Sequence, residues 1–201
     1  AWAVVGAFGD NLNETARRLA VDLGLGDADL ATLENLGVCI NYNGYGPALE
    51  DLHFDPQDLY RRLYAAVDPL AFCRSSPDFA RLDTGYREDM ALAEGLQPEE
   101  ATALTAIYIL PNEAWARRVS GVFSNDLATG NPGRAHAVLT AKANGNYLVS
   151  VRAPLSNKRG AAELCMQFPT GGGREAAAGI NDLPADSLDA FVAKFAEAYS
   201  A

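Results

Sequence analysis

Histidine and cysteine are scarce in this sequence, with two histidines and three cysteines among 201 residues. Cys39, Cys73 and Cys165 lie far apart and form no Cys-x-x-Cys pair, which argues against a structural zinc site. So few histidines also argue against a Ser-His-Asp or Cys-His catalytic arrangement. Because a chain of this length needs no disulfide to form a core, we expect a reduced, cytoplasmic protein.

Long apolar runs and an excess of basic residues are also missing. No run approaches the roughly 20 residues of a membrane span, so no membrane partner is expected. The net charge of −10 argues against adhesion to nucleic acid over the whole surface. Residues 1–130 carry 9 Lys and Arg against 20 Asp and Glu, whereas residues 131–201 carry 7 against 6. An anionic ligand is therefore expected in the C-terminal part, held by a local cluster.

The first half of the chain predicts one strand and then helices. The apolar run 2–8 is predicted as a buried strand, and the helices follow over 13–23, 29–36, 55–67 and 76–95. The segment 41–47, rich in Asn and Gly, is predicted as a loop. Since the chain begins with an apparent buried strand and no Met, we expect a piece of a longer protein whose preceding part shares that sheet.

The second half alternates predicted strands and helices. A strand over 104–110 and a helix from 112 precede a hairpin whose strands are 135–141 and 147–151, with Asn144 and Gly145 predicted to form a type I′ turn. A helix over 161–168, a glycine-rich turn and a helix over 188–199 follow. The predicted fold class is α/β: the end of a parallel-sheet catalytic domain (1–75), a connector helix (76–97) and a small mixed-sheet α/β domain (98–201).

Three consecutive glycines give the sharpest local signal. Gly171, Gly172 and Gly173 expose backbone N–H groups, the alanines after them are predicted to start a helix, and Arg174 adds a guanidinium, so the segment favours an anion site. Arg152, at the end of the hairpin strand, supplies a second guanidinium. A plain tight turn explains the glycines equally well.

The order of motifs over 103–201 resembles the C-terminal substrate-binding domain of the DHH phosphoesterases. These motifs are a helical Ser-Asn pair ending at Asn125, the Asn-Gly hairpin, the segment Ser150 to Arg152, and the glycines followed by Arg174. The resemblance implies that the substrate contacts are Asn125, Ser150, Arg152, Gly171, Gly172, Gly173 and Arg174. The family usually has His after its glycines; Arg174 preserves phosphate binding but not a proton-transfer role.

The first half is similar to the same family around Asp10. The segment Gly-Ala-Phe-Gly-Asp10 resembles a motif whose Asp ends a strand and binds metal, which implies Asp10 as a ligand of Mn²⁺ or Mg²⁺; capping of the following turn is the alternative. The loop 41–46 resembles a family loop, and its Tyr42 and Tyr45 either stack on bases or pack on the domain. The family's Asp-His-His and Asp-x-Asp motifs are not in this chain, so its other metal ligands are expected before residue 1.

The two histidines carry no motif of their own. His53 is expected to be a partly exposed loop residue rather than a ligand, and His136 is expected on a sheet surface. Neither is therefore assigned a catalytic role.

The resemblance implies a metal-dependent phosphoesterase of the RecJ-like or nanoRNase-like type. It would act on nucleotides or short single-stranded oligonucleotides, and this chain alone is expected to be inactive. The alternative is a nucleotide- or nucleic-acid-binding module without catalysis. A homodimer is compatible with either.

Overall fold

The computed structural model describes residues 1–46 and 48–200. The chain divides into two compact units, Ala1–Met90 and Ala91–Ala201, which we call the N-terminal and C-terminal units. The division falls within the helix Pro77–Glu94, inside the predicted connector 76–97. Within the described residues, no helix combines the length and apolar character needed to cross a membrane.

The regular elements in the described part of the N-terminal unit are all helices. Its helices are α1 (Trp2–Gly9), α2 (Asn13–Asp22), α3 (Asp27–Tyr42), α4 (Pro56–Tyr64), α5 (Pro69–Ser75) and α6 (Pro77–Glu94), with a 3-10 turn at Leu49–Asp51. The strand predicted over 2–8 is therefore wrong. A short apolar run does not distinguish a buried strand from a buried helix, and here Val4, Val5 and Phe8 pack in the core with α2 and α3.

Helices α2, α3, α4 and α6 overlap their predicted ranges, whereas α5 was not predicted. Asp55 caps α4, since its Oδ1 accepts hydrogen bonds from the backbone N–H groups of Gln57 (2.8 Å) and Asp58 (3.3 Å). Helix α3 is longer than predicted and takes in Asn41 and Tyr42, so the expected loop begins later. Pro47, at the end of that predicted loop, lies outside the described residues.

Helices α1 and α3 approach until their backbones touch. A Cβ added at Gly37 would lie 2.4 Å from the carbonyl oxygen of Val5 and 2.9 Å from the backbone nitrogen of Gly9. No side chain fits at such distances, so Gly37 sets the separation of the two helices.

The C-terminal unit is a six-stranded mixed sheet with helices on both faces. Its elements are β1 (Glu100–Ala101), β2 (Thr105–Leu110), α7 (Ala114–Gly130), β3 (Ala135–Ala141), β4 (Tyr147–Arg152), α8 (Ala161–Cys165), β5 (Gly171–Arg174), β6 (Ala177–Leu183), a 3-10 turn at Ala185–Ser187 and α9 (Leu188–Ala198). The strand order is β1-β2-β3-β4-β6-β5, with β2 and β3 parallel and every other pair antiparallel. The predicted α/β class with a mixed C-terminal sheet is confirmed.

The hairpin between β3 and β4 is confirmed, but its predicted turn type is wrong. Gly145 has a φ of 84°, whereas Asn144 does not have the positive φ that a type I′ turn requires. Lys142 N–H bonds to the Asn146 carbonyl (2.8 Å), and Gly145 N–H bonds to the Lys142 carbonyl (3.0 Å). The connection is therefore a three-residue loop with glycine at its left-handed position.

The two faces of the sheet are covered unequally. On one face, α8 and α9 pack on all the long strands through a core that includes Leu139, Val149, Ile180, Phe191 and Phe195. On the other face, α7 packs over β3 and β4, and its Phe123 meets Tyr108 of β2 edge to face. Within the described part of this unit, no helix covers that second face over β6 and β5.

Candidate functional site

Arg152, the last residue of β4, is held by two other residues of the predicted site. Its Nε donates to Asn125 Oδ1 of α7 (2.8 Å), and its Nη1 donates to Ser150 Oγ (2.9 Å) and to the Val151 carbonyl (3.2 Å). The structure thus brings Asn125, Ser150 and Arg152 together. Because these bonds fix the guanidinium, the Arg152 side chain has little conformational entropy left to lose.

The three glycines form a strand and not a turn, which corrects the prediction. Gly171–Arg174 is the edge strand β5, joined to β6 by the two residues 175–176. The alanines that were predicted to start a helix begin β6 instead. The predicted anion site at a helix N-terminus is therefore absent from this described segment.

The three glycines of β5 differ in the space around them. A Cβ at Gly171 would lie 1.8 Å from the carbonyl oxygen of Cys165, and one at Gly173, where φ is 142°, would lie 2.5 Å from Ala178 Cα. Both positions therefore require glycine to let backbones approach. A Cβ at Gly172 would meet nothing within 4 Å, so a side chain is sterically allowed there.

The sheet register places both arginines of the predicted site on one face. Ala177 pairs with Arg152 on one side and with Arg174 on the other, so the three share a row across β4, β6 and β5. At the usual strand spacing, the outer two backbones are about 10 Å apart. Arg174 is exposed and makes no hydrogen bond or ion pair in the described part of the chain.

A second row completes this surface, because Gly179 pairs with both Ser150 and Gly172. We call the surface the open sheet face; its residues are Ser150, Arg152, Gly172, Arg174, Ala177 and Gly179. Its centre is formed by glycine and alanine, with one guanidinium on either side. Such a surface suits a flat ligand that carries phosphate groups.

His136 lies beside Arg152 in the same row, and it is only 1% exposed. Burial, with a further contribution from the Arg134 charge, lowers the pKa of His136 to about 4. The ring is therefore neutral at physiological pH and does not repel the guanidinium of Arg152. The sequence predicted a sheet-surface residue here, but α7 covers β3 and buries the side chain.

Asp10 follows the last turn of α1 and is exposed. It lines a cleft of about 290 Å³ with neighbours that include Gly9 and Asn41. Since α1 is a helix, Asp10 does not stand at the end of a strand as predicted. Among residues 1–46 and 48–200, no group of three or more His, Cys, Asp or Glu side chains is placed to hold a metal ion. The residues around Asp10 do not by themselves fit a Mn²⁺ or Mg²⁺ site.

The cysteine thiols are unsuited to nucleophilic chemistry. Burial raises the pKa of Cys39 and of Cys165 to about 12 and that of Cys73 to about 11. Their thiolate forms are therefore scarce near neutral pH. All three are free cysteines.

Sequence reasoning missed a polar network in the N-terminal unit. Tyr42 Oη bonds to both His53 and Asp89, and Tyr42 is fully buried. Asn43 binds the backbone of Phe54 through both atoms of its amide, at 2.8 and 3.0 Å. Of these residues, only the 41–46 segment and His53 stood out in the sequence, and neither pointed to Asp89.

The mixed-sheet α/β fold of this chain also occurs in a solved phosphodiesterase. That protein, the pGpG-specific phosphodiesterase PggH of Vibrio cholerae, is 15% identical over 72% of this chain and 52% of its own, with a TM-score of 0.51. An exopolyphosphatase-related protein from Bacteroides fragilis is 17% identical over 92% of this chain and 54% of its own, but its TM-score of 0.43 supports no argument. No family model matches the chain, and no curated protein matches it significantly. The chain thus spans about half the length of these two structures, and at such identities the similarity shows the fold alone.

Proposed function

We propose that this chain is the substrate-binding portion of a DHH-type phosphoesterase that hydrolyses phosphoester bonds in nucleotides or short single-stranded oligonucleotides in the cytoplasm. The observation that carries the proposal is the open sheet face, where Arg152 is fixed by Asn125 and Ser150 and shares a row with the exposed Arg174. The fold likeness to a phosphodiesterase supports the same class of substrate.

The residues of the open sheet face would bind and orient, without taking part in bond cleavage. Arg152, which Asn125 and Ser150 hold in position, would bind one phosphate through charge-assisted hydrogen bonds. Arg174, about two strand spacings away, would contact a second part of the same anionic ligand. Gly172 and Gly179 leave room for a base or sugar to lie on the sheet.

The proposed enzyme would use metal ions. Mn²⁺ or Mg²⁺ would activate water in a phosphoesterase of this type. Asp10 is the only ligand that we assign, and its surroundings do not complete a site. No catalytic step is therefore derived for the residues of this chain.

A binding module without catalysis is the second candidate, and Arg174 favours it. A guanidinium stays protonated at all physiological pH values, so Arg174 binds phosphate but does not transfer a proton. An assay of the intact protein with Mn²⁺ and a 5′-phosphorylated dinucleotide separates the two, since only the enzyme releases mononucleotides. The 201-residue chain is expected to bind the dinucleotide and release none.

Calorimetric titration of the 201-residue chain with AMP and with a 5′-phosphorylated dinucleotide tests the binding site. We expect dissociation constants of about 0.1–1 mM. Arg152→Gln should weaken binding at least about tenfold, because a charged hydrogen-bond partner is lost. Gly172→Val should have a similar effect by filling the open sheet face.

Lys194→Gln is the matched control for the loss of one positive charge. Lys194 belongs to α9, on the opposite face of the sheet, and its Nζ donates to Gln167. This variant should bind as tightly as the original chain. If neither ligand binds, or if Arg152→Gln and Lys194→Gln weaken binding equally, the proposal is wrong.

A further inference from the structure

The basic residues of the C-terminal unit are concentrated at one end of its sheet. Three segments meet there, and together we call them the charged end: residues 131–134, 152–161 and 174–177. The Ser156 N–H donates a hydrogen bond to the Pro132 carbonyl (3.0 Å), which joins the first two segments. The Ala161 N–H donates to the Glu175 carbonyl (3.1 Å), which joins the second segment to the third. The three segments therefore form one continuous surface.

The charged end differs in sign from the rest of the protein. Its charged residues are five cations and one carboxylate: Arg134, Arg152, Lys158, Arg159, Arg174 and Glu175. These give the charged end a net charge of +4, and because the whole chain carries −10, the remainder carries −14. A local positive surface on an otherwise acidic protein attracts an anion to that surface and to few other places.

The outer cations of the charged end are not neutralised by carboxylates. Lys158 and Arg159 are exposed, and neither side chain makes a hydrogen bond or an ion pair within residues 1–46 and 48–200. By contrast, Arg17, Arg62 and Arg87 of the N-terminal unit each pair with a carboxylate. Cations that are close together and unpaired gain most when an anion binds between them.

Arg134 extends the row of cations beyond the open sheet face. It lies two residues before His136, which pairs with Arg152 across β3 and β4. Burial is the main cause of the lowered pKa of His136, and the nearby Arg134 charge is the second cause, so the guanidinium lies close to this row. Arg134 is half-buried and makes no ion pair with the described residues.

We propose that the charged end binds the phosphate backbone of a single-stranded oligonucleotide that is longer than a dinucleotide. This inference rests on the proposed function of the open sheet face, because Arg152 and Arg174 belong to both surfaces. A dinucleotide would reach only these two cations. Each further nucleotide adds one phosphate, and Arg134, Lys158 and Arg159 would contact these phosphates in the part of the strand that leaves the open sheet face.

Two features favour an oligonucleotide over inorganic polyphosphate, which has the same repeating charge. Leu155 is 41% exposed and lies between Arg152 and Lys158 in sequence, so the charged end also offers an apolar surface to a base or sugar. The glycine and alanine centre of the open sheet face does the same. The charge of −14 on the remainder of the chain disfavours a duplex, whose second strand doubles the number of phosphates.

Calorimetric titration with 5′-phosphorylated oligoadenylates of two, four and six nucleotides tests the inference on the 201-residue chain. At about 50 mM salt, the hexanucleotide should bind at least about tenfold more tightly than the dinucleotide, because about three more phosphates are contacted. Its affinity should also depend more steeply on salt. The slope of log Kd against log salt concentration should be larger by about 2, at about 0.7 for each phosphate.

The double substitution Lys158→Gln with Arg159→Gln removes two cations from the charged end. It should abolish most of the advantage of the hexanucleotide and change dinucleotide binding by less than about twofold. Arg17→Gln with Arg18→Gln is the matched control, because it removes an adjacent, exposed pair of cations from α2. This control should leave the affinity for every length unchanged.

The outcomes separate this inference from the proposed function. If the dinucleotide binds and the hexanucleotide binds no more tightly, or if the two double variants weaken the hexanucleotide equally, the inference is wrong and the proposed function stands. If no oligonucleotide binds, both are wrong. Equal or tighter binding of hexaphosphate, or of a duplex of six base pairs, overturns the assignment to single-stranded nucleic acid.

Discussion

The two units of this chain use glycine for the same physical purpose in different architectures. In the helical N-terminal unit, Gly37 lets the backbones of α1 and α3 touch, and in the C-terminal sheet, Gly171 lets the edge strand β5 touch the end of α8. In both units a short distance to a carbonyl oxygen excludes any side chain. The comparison shows that a glycine in a motif can be required by backbone packing and need not contact a ligand. In β5, only Gly172 has open space beside it.

The largest expected effect is that of Gly37→Ala in the N-terminal unit. The added methyl group would lie 2.4 Å from the Val5 carbonyl, so α1 and α3 must separate, and we expect a loss of at least about 3 kcal/mol in the free energy of unfolding. Urea denaturation followed by hydrogen exchange in α1 and α3 measures it. Gly6→Ala is the control: it adds a methyl group to α1 with nothing within 4 Å and should be neutral or stabilising. Equal effects of the two substitutions would contradict the steric argument.

The second prediction compares two adjacent glycines of β5. Gly171→Ala should cost about 2–3 kcal/mol, because its Cβ would overlap the Cys165 carbonyl, whereas Gly172→Ala should change stability by less than about 0.5 kcal/mol. Thermal and urea unfolding of both variants measure the difference. If Gly172→Ala lowers the free energy of unfolding more than Gly171→Ala does, the position of β5 in the sheet is wrong.

The smallest expected effect is a pH dependence confined to the C-terminal unit. The pKa of His136 is about 4 when folded and about 6.5 when unfolded, so between these values the unfolded chain binds the extra proton. Stability is therefore full above about pH 6.5 and falls on acidification, by about 2 kcal/mol between pH 7 and pH 5. Urea midpoints of the sheet amides measured across this range test it. His136→Gln should flatten the dependence, and an unchanged slope would assign it to other groups.

The local signals in the sequence were enough to predict most helices and the central hairpin. Asp55 before a proline marks the start of α4, and Asn144 with Gly145 marks the hairpin, because caps and turns depend on a few neighbouring residues. The run 2–8 was misassigned because its partners in α2 and α3 decide whether it is a strand or a helix. The glycine strand was missed because β propensity disfavours glycine, and only pairing with β6 makes it a strand.

The order of motifs along the chain was enough to predict part of the candidate site. Asn125, Ser150 and Arg152 were named from a resemblance and do lie together, although their role as substrate contacts stays a prediction. The link between His53 and Asp89 was not predictable, because the residues are far apart in sequence and meet only through Tyr42. Contacts of this kind depend on helix packing, which no local pattern encodes.

Arg174, a proposed ligand contact, lies on the outermost strand of the sheet and outside the packed interior. Its neighbours across the sheet are small, its side chain is exposed, and its replacement removes nothing from the packed interior. If Arg174 contacts the ligand as proposed, substitutions there would alter which ligand is selected while the domain keeps its stability. In a lineage of such proteins, this strand is where new preferences would evolve at little cost to folding.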